Sequence, residues 1–577
     1  MKVSNIIKNL LYATLILMAA RCAHPVMPTG GPEDTTPPEP VEAEPPNYST
    51  NFNSDRFSVT FNEFVNLENP RKEMFISPPL EKFPDTRVRG KSVQVSFQEE
   101  LQPNTTYTIY FGDAIVDITE KNPKSNFEYV LSTGDEIDSL SVTGEVMDAF
   151  TQRPVEGILV MLYLNTNDTI PLDSLPIYVR PLSTTKTTET GKFSLNNLKD
   201  RPYKIFALAD NNANYIYDLP NESIAFLDSL VKPEYMFRLD TVVSSDTTKT
   251  SESLEIVKKP VTAPGNFYTL HLFSEIDSTQ SLLSSNVKDS DHFVLSFRYP
   301  PDSLGLTILE PDTTLENWFL KEPDENGDTL IFWMKGFNPD TLTLKISEKQ
   351  MEPDTVRLIF KTGFESRRER KQEDKREDLK VKLDAKGRTI DYFLPLKLGF
   401  SRPVESFDTS RMILYDRKDT LGFSLSLKGP VHREGLIEYN WKQEEAYTLF
   451  IPDSTFTDIY GTSHDTTVVK FNTLKQSDYG KLELTVSSES KHQYLIHIKG
   501  EEGETLDEVV VKGDSVLSYP LIEPGNYTVK AMHDKNRNGQ WDTGNYKLNL
   551  QPEKVYFYPS PLNLRPNWEV KETWDLP

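Results

Sequence analysis

Tyr203-Lys-Ile-Phe-Ala-Leu-Ala-Asp210 and Tyr527-Thr-Val-Lys-Ala-Met-His-Asp534 are one phrase written twice, and each runs straight into Asp-x-Asn-x-Asn with a second aspartate eight positions after the first. Two copies in the same register mark a repeated module. Upstream of the first copy stand Val142-Thr-Gly144-Glu-Val146, Pro154-Val155-Glu-Gly157-Ile-Leu-Val160 and Thr190-Gly191-Lys-Phe193. Short apolar runs separated by turn residues predict strands of a β-sandwich. This module is expected over residues 139–239 and again over 478–577.

A second module also appears more than once. Val59-Thr-Phe61-Asn-Glu-Phe-Val65 is matched by Leu398-Gly-Phe400-Ser-Arg-Pro-Val404, and Tyr107-Thr-Ile-Tyr-Phe-Gly-Asp113 by Tyr447-Thr-Leu-Phe-Ile-Pro-Asp453. An Asp-Ile pair follows each (Asp117-Ile118, Asp458-Ile459), and each copy closes on a strand near threonine, Thr133 or Thr473. These phrases predict sandwiches over 48–135 and 379–475, with a degenerate copy over 266–363. A Ser/Thr-rich linker is expected at 240–265 and a charged one at 364–378. The fold class is all-β, in tandem sandwiches. Length agrees, since 577 residues exceed one core and suggest about four or five domains.

The N-terminus reads as an export signal. Lys2 and Lys8 precede an apolar run from Leu10 to Ala20 that is too short to span a bilayer, and Cys22, the only cysteine, follows at once. Residues 1–21 are therefore expected to be a lipoprotein signal peptide, with the lipid on Cys22. No disulfide can form within the chain, so packing must hold it together. Residues 22–47 are proline-rich and predict an extended tether without helix or sheet. The net charge of −24 argues against nucleic acid as a partner.

Cys22-Ala23, Pro25, Pro28-Thr29-Gly30-Gly31-Pro32, Asp34 and Pro37-Pro38 resemble the opening of Ig-like lipoproteins of the Bacteroidota type. The first-described repeat resembles the transthyretin-like, or carboxypeptidase-regulatory-like, sandwich, and the second resembles the SbsA-type bacterial Ig-like domain. The resemblance implies a non-catalytic envelope protein without an assigned activity. The tether lacks the acidic cluster after the cysteine that resembles a surface-export signal. The expected location is thus the outer membrane, facing the periplasm, with the cell surface as the alternative.

The Asp-rich loops are the candidate ligand sites. In the second, Asp534, Asn536, Asn538, Gln540 and Asp542 alternate, with Gly539 at the sixth position. Hard oxygens in that spacing suit a structural Ca²⁺, although the twelfth position is Asn545 rather than a bidentate glutamate. The first loop offers Asp210, Asn212, Asn214 and Asp218, with Tyr215 in place of the glycine. The competing reading is a metal-free turn held by Asx hydrogen bonds. No cofactor is required by any motif.

Catalytic signatures are weak. Gly461-Thr-Ser463-His464-Asp465 and Gly513-Asp514-Ser515 lack the strand-to-helix setting of a nucleophile elbow. The eight histidines form no His-x-x-x-His pair. Asp-Ser/Thr followed by an aliphatic residue or Thr recurs many times, including Asp173-Ser-Leu, Asp302-Ser-Leu, Asp328-Thr-Leu, Asp340-Thr-Leu and Asp419-Thr-Leu, where composition alone gives roughly three such tripeptides. It resembles the acceptor pattern for protein O-glycosylation in Bacteroidota, and it also suits a turn entering a strand. The expected function is a non-enzymatic envelope scaffold or interaction protein, with an envelope protein or a glycan as partner. The alternatives are a surface adhesin or glycan binder, for which Trp318, Trp333, Trp441 and Trp541 are the candidate platforms, and, less favoured, a cryptic hydrolase.

Overall fold

The computed structural model describes residues 34–577 except 126, 165–169, 236, 245–252, 261–266, 278, 314, 350, 361–376, 385–387 and 418. The expected signal peptide, Cys22 and most of the charged linker lie outside the described residues. The chain is all-β, in tandem Ig-like sandwiches with five separate hydrophobic cores. They fall into two compact units, one running to Glu275 and including Thr543–Pro552, the other comprising Ile276–Asp542 and Glu553–Pro577. Among the described residues no helix is long and apolar enough to cross a membrane.

In the first unit, Arg56–Phe61 alternates strictly, burying Phe57, Val59 and Phe61. Phe57 stacks on Tyr129 across the core at 3.8 Å. The sheets are Pro40–Glu44, Arg56–Phe61, Ser92–Ser96, Asp85–Arg89 and Phe75–Ser77, Thr106–Tyr110, Glu128–Ser132. The tether expectation fails at its end, because Pro40–Glu44 is an edge strand paired with Arg56–Phe61. Its prolines sit at or just beyond the strand ends, where the missing N–H costs no ladder bond. Asp117 of the Asp-Ile pair is buried and accepts the N–H groups of Glu120, Lys121 and Asn122. Burial alone would raise its pKa, but those hydrogen bonds prevail and hold it at about 2.

The second sandwich of this unit is one seven-stranded sheet in the order Ser183–Lys186, Leu159–Tyr163, Lys204–Leu208, Ser223–Phe226, Phe267–Ser274, Leu140–Asp148, Lys192–Leu198. Two expected boundaries move. Phe267–Ser274 was expected to open the degenerate Ig-like domain, yet it pairs in parallel with Leu140–Asp148. The 240–265 stretch is not a plain linker, since Phe237–Ser244 and Ser253–Pro260 form an antiparallel pair. The module therefore ends at Ser274, its last strand following an inserted hairpin.

The second unit holds three cores. Two sheets spanning 282–360 enclose Phe293, Trp318, Phe332 and Leu344. The next sandwich, from Val381–Leu383 to Thr467–Thr473, encloses Leu398, Trp441, Tyr447 and Phe471. Arg402 lies between Asp291 (3.2 Å) and the fully buried Asp458 (3.1 Å). In the last sandwich Gly480–Ser487 has Glu569–Asp575 as its parallel neighbour. That is the role Phe267–Ser274 plays for Leu140–Asp148.

Candidate functional site

The two Asp-rich loops share one hydrogen-bond plan. In the second, Asp534 is almost fully buried at the end of Gly525–His533. Its Oδ1 accepts the N–H of Asn538 (3.0 Å), and its Oδ2 accepts the N–H of Gly539 (2.9 Å) and Nε2 of Gln493 (2.7 Å). Asn536 and Asn538 both donate Nδ2 to Asp542 Oδ2, at 2.7 and 2.8 Å. The N–H of Gln540 is donated to Asn538 Oδ1 at 2.8 Å.

The first loop repeats this. Asp210 accepts the N–H groups of Asn214 (3.2 Å) and Tyr215 (2.9 Å). Asn212 and Asn214 donate to Asp218 at 3.1 and 2.9 Å. Positions four and six are left-handed in both: φ is 57° at Ala213 and 66° at Tyr215, against 65° at Arg537 and 78° at Gly539. The missing glycine does not change the shape. Tyr215 adopts it at a steric cost of about 1–2 kcal/mol, which Gly539 avoids.

One member of each site escaped the sequence reading. Glu222 accepts the N–H groups of Asn211, Asp218 and Leu219, and Glu553 accepts those of Lys535 and Asp542. The two glutamates do the same work from different distances in sequence. Three residues separate Asp218 from Glu222, whereas ten, Thr543–Pro552, separate Asp542 from Glu553. Burial raises the Glu553 pKa, with Asp542 and Asp534 adding to the shift and two accepted N–H groups opposing it.

The donor set is all hard oxygen, the class Ca²⁺ takes. Among the described residues no three His, Cys, Asp or Glu side chains converge to hold a metal. Asn536 and Asn538 turn their amide nitrogens toward Asp542, and a 180° turn of each amide would present oxygen instead. The loops therefore fit a cation only through their carboxamides and are otherwise closed by Asx hydrogen bonds.

Residues 34–133 match the family model of a bacterial Ig-like domain, Big_5. No curated protein matches the chain. Solved structures overlap it loosely. The major pilin subunit BcpA of Bacillus cereus is 9% identical, covers 76% of this chain and 99% of its own, and has a TM-score of 0.14. The S-layer protein rSbsC(31-844) is 11% identical over 91% and 67%, with a TM-score of 0.14. Native alpha-2-macroglobulin of Escherichia coli, domains MG0-NIE-MG1, is 12% identical over 50% and 98%, with a TM-score of 0.17. Overlaps this loose carry no argument.

The other candidate residues of this Ig-like chain are engaged locally. Trp318, Trp333 and Trp441 are buried, so none is an open platform. Trp333 is stacked on His292, lies under Arg433 and donates to Glu322. Trp541 is half-buried and donates to the Glu553 carbonyl at 2.9 Å. His464 Nδ1 sits 2.7 Å from the Asp465 carbonyl, the Ser463 hydroxyl faces that of Ser454, and Asp514 accepts the N–H of Ser488. Asp328-Thr, Asp340-Thr and Asp419-Thr each lead directly into a strand.

Proposed function

We propose that the protein is a non-enzymatic envelope lipoprotein, held through a lipid on Cys22 to the outer membrane and facing the periplasm, that works as a scaffold and binds an envelope protein through its sheet faces and edges. The observation that carries this reading is where the polar side chains go. At the motifs with catalytic or ligating residue types, Asp210 and Asp534 accept N–H groups of their own loops, Asp514 accepts the N–H of Ser488, and His464 Nδ1 sits on the Asp465 carbonyl, so these groups serve the fold and the sheet surface is left for a partner. Protease treatment of intact and lysed cells, with a Cys22→Ala control, tests the location. Protection in intact cells with digestion after lysis agrees. Digestion in intact cells moves the chain to the surface.

A glycan-binding role has one observation in its favour. In the first unit a cleft of about 550 Å³ is lined by Phe75, Tyr110, Phe127, Phe193 and Phe267 together with Lys186 and Asn196. Flat aromatic faces beside amide and ammonium groups suit a sugar ring. Binding to a glycan array that is lost in Tyr110→Ala supports this role, and an array without signal removes it. We also propose a structural Ca²⁺ in each Asp-rich loop, holding the oxygens of Asp534, Asn536, Asn538 and Asp542, or of Asp210, Asn212, Asn214 and Asp218. Millimolar Ca²⁺ should then raise Tm, and an unchanged Tm refutes it.

A further inference from the structure

The sandwiches that begin near Arg56 and Val381 are copies of one module, so the same end of each can be compared residue by residue. Phe61–Val65 matches Phe400–Val404, and Asp117-Ile118 matches Asp458-Ile459. The backbone agrees. Phe61 N–H is donated to the Lys91 carbonyl (2.8 Å) as Phe400 N–H is to that of Arg433 (2.9 Å). Asn62 N–H reaches the Glu39 carbonyl (2.9 Å) as Ser401 N–H reaches that of Lys380 (3.0 Å). Glu63, Phe64, Lys91 and Ile118 therefore stand where the later copy has Arg402, Pro403, Arg433 and Ile459.

In the later copy this end docks a neighbour. The sandwich over 282–360 brings up Asp291, from the turn between Leu282–Asp289 and His292–Phe297, to Arg402 at 3.2 Å. The Tyr460 hydroxyl donates to the Asp291 carbonyl at 3.1 Å. Glu322 of the same neighbour meets Arg433 (3.1 Å), its Trp333 ring lies 4.9 Å from that guanidinium, and its Lys335 meets Glu405 (2.8 Å). Pro403 and Ile459 are buried at this end. In the first copy the matching positions stand in water: Phe64 is 59% exposed and Ile118 56%. Lys91 lies over the Phe64 ring of its own sandwich, 5.7 Å from the centroid. Desolvation raises the Glu63 pKa, and so do the carboxylates of Asp117, Asp34 and Glu120, with Lys91 opposing.

We propose that this end of the first sandwich docks the hairpin end of a β-sandwich in another protein, one that brings a lysine or arginine to Glu63 and a carboxylate to Lys91 around an apolar contact with Phe64 and Ile118. The occupant follows from the charges. Arg402 is met by an aspartate, so Glu63 in its place is met by a cation. Lys91 keeps the sign of Arg433, and so it keeps the need for an acid such as Glu322. A second copy of this chain, docking as 282–360 does, would set Asp291 against Glu63 and repel. An anionic lipid surface would meet Asp34, Glu63 and Glu120. The two exposed apolar side chains are the residues that the same module buries when a neighbour is present, which separates them from apolar residues scattered singly on a surface. The proposal rests on the scaffold reading above only in requiring a protein partner, and it holds on either side of the membrane.

The test places the photo-cross-linker p-benzoylphenylalanine in the full chain, in the cells it comes from. One chain carries it in place of Ile118, and another in place of Val516, which is 61% exposed on the strand Ser515–Ile522. The Ile118 chain should give an adduct to one protein, and mass spectrometry should map the cross-link to a hairpin turn bearing a lysine or arginine. Glu63→Lys should lower the adduct yield at least tenfold, with circular dichroism of the purified variant showing that it is folded. Reversing the partner's basic residue to glutamate should restore the adduct with Glu63→Lys. An adduct at Val516 with none at Ile118 overturns the docking end and leaves the scaffold reading standing, whereas no protein adduct at either site overturns both. An Ile118 adduct to lipid or to a second copy of the chain overturns the proposal, as does a yield that Glu63→Lys leaves unchanged.

Discussion

Phe206 and Lys530 hold the same place in the repeated phrase, each on the outward side of the same strand in its sandwich. Around Phe206 the outward residues Met161, Tyr163, Leu208 and Phe226 are apolar and buried, and the one charged neighbour on the strand, Lys204, is buried and paired with Asp173 at 2.7 Å. Around Lys530 the neighbours include Lys499, Glu508 and the part-buried His497. Partial burial, with Lys499 adding and Glu508 opposing, lowers the Lys530 pKa to about 8. The outer sheet of the second module thus sets Lys530 and His497 beside the buried Leu495 and Met532, whereas that of the first meets Tyr546 of Thr543–Pro552 at Phe206 and Phe226. The same strand plan carries an aromatic outer side in one module and a partly charged one in the other.

The largest effect should come from making the first face resemble the second. Phe206→Lys places an ammonium where the side chain is fully buried. The lost aromatic burial alone is worth about 3–5 kcal/mol, and desolvation of the charge adds to it. Calorimetry of the full chain should show the transition of the first unit fall well below the others or vanish. Removing the loop acceptors is next. Asp210→Ala and Asp534→Ala each strand two or more N–H donors, at about 1–3 kcal/mol. Equal losses in the two variants would confirm that the loops do the same job, and a loss in only one would separate them.

Smaller effects sharpen the contrast. Gly539→Ala meets no neighbour within 4 Å of the new Cβ, so only the left-handed backbone opposes it. It should cost about 1 kcal/mol, read as a small drop in Tm. Lys530→Met probes the polar face. With its folded pKa at about 8 and an unfolded value near 10.5, the unfolded chain binds the extra proton between those values. Stability should therefore rise with pH over that window, and the rise should disappear in the variant. Asp117 acts at the other end of the scale. Its folded value of about 2 lies below the ordinary aspartate value of 3.8. Its contribution is present above about pH 4 and lost as pH falls toward 2, a dependence that Asp117→Asn should remove.

Much of this was legible in the residues. The repeated phrases placed the strands of four sandwiches and both Asp-rich loops, because period-2 burial and turn residues are local signals. The difference between the faces was also written there. Lys-Ile-Phe-Ala-Leu after Tyr203 lacks the alternation that Thr-Val-Lys-Ala after Tyr527 keeps up to Met532. What covers the first face could not be read, since Thr543–Pro552 carries no periodicity that marks a ligand. Glu222 and Glu553 were hidden for a related reason. They stand twelve and nineteen residues after the first aspartate of their loops, so no fixed spacing links them. Phe267–Ser274 was assigned to the wrong sandwich because an inserted hairpin separates it from its own, and strand partners across an insertion leave no trace in a local pattern. Pro40–Glu44 was missed because proline excludes a central strand but not an edge.

Residue-resolved hydrogen exchange on the full chain tests the central claim most directly. The Tyr546 amide, donated to Glu275 and lying under the first Asp-loop sheet, should exchange slowly in the unaltered chain and rapidly in Phe206→Lys, while Lys530→Met leaves it unchanged. A Tyr546 amide that exchanges at the rate of an open loop in the unaltered chain would contradict the account.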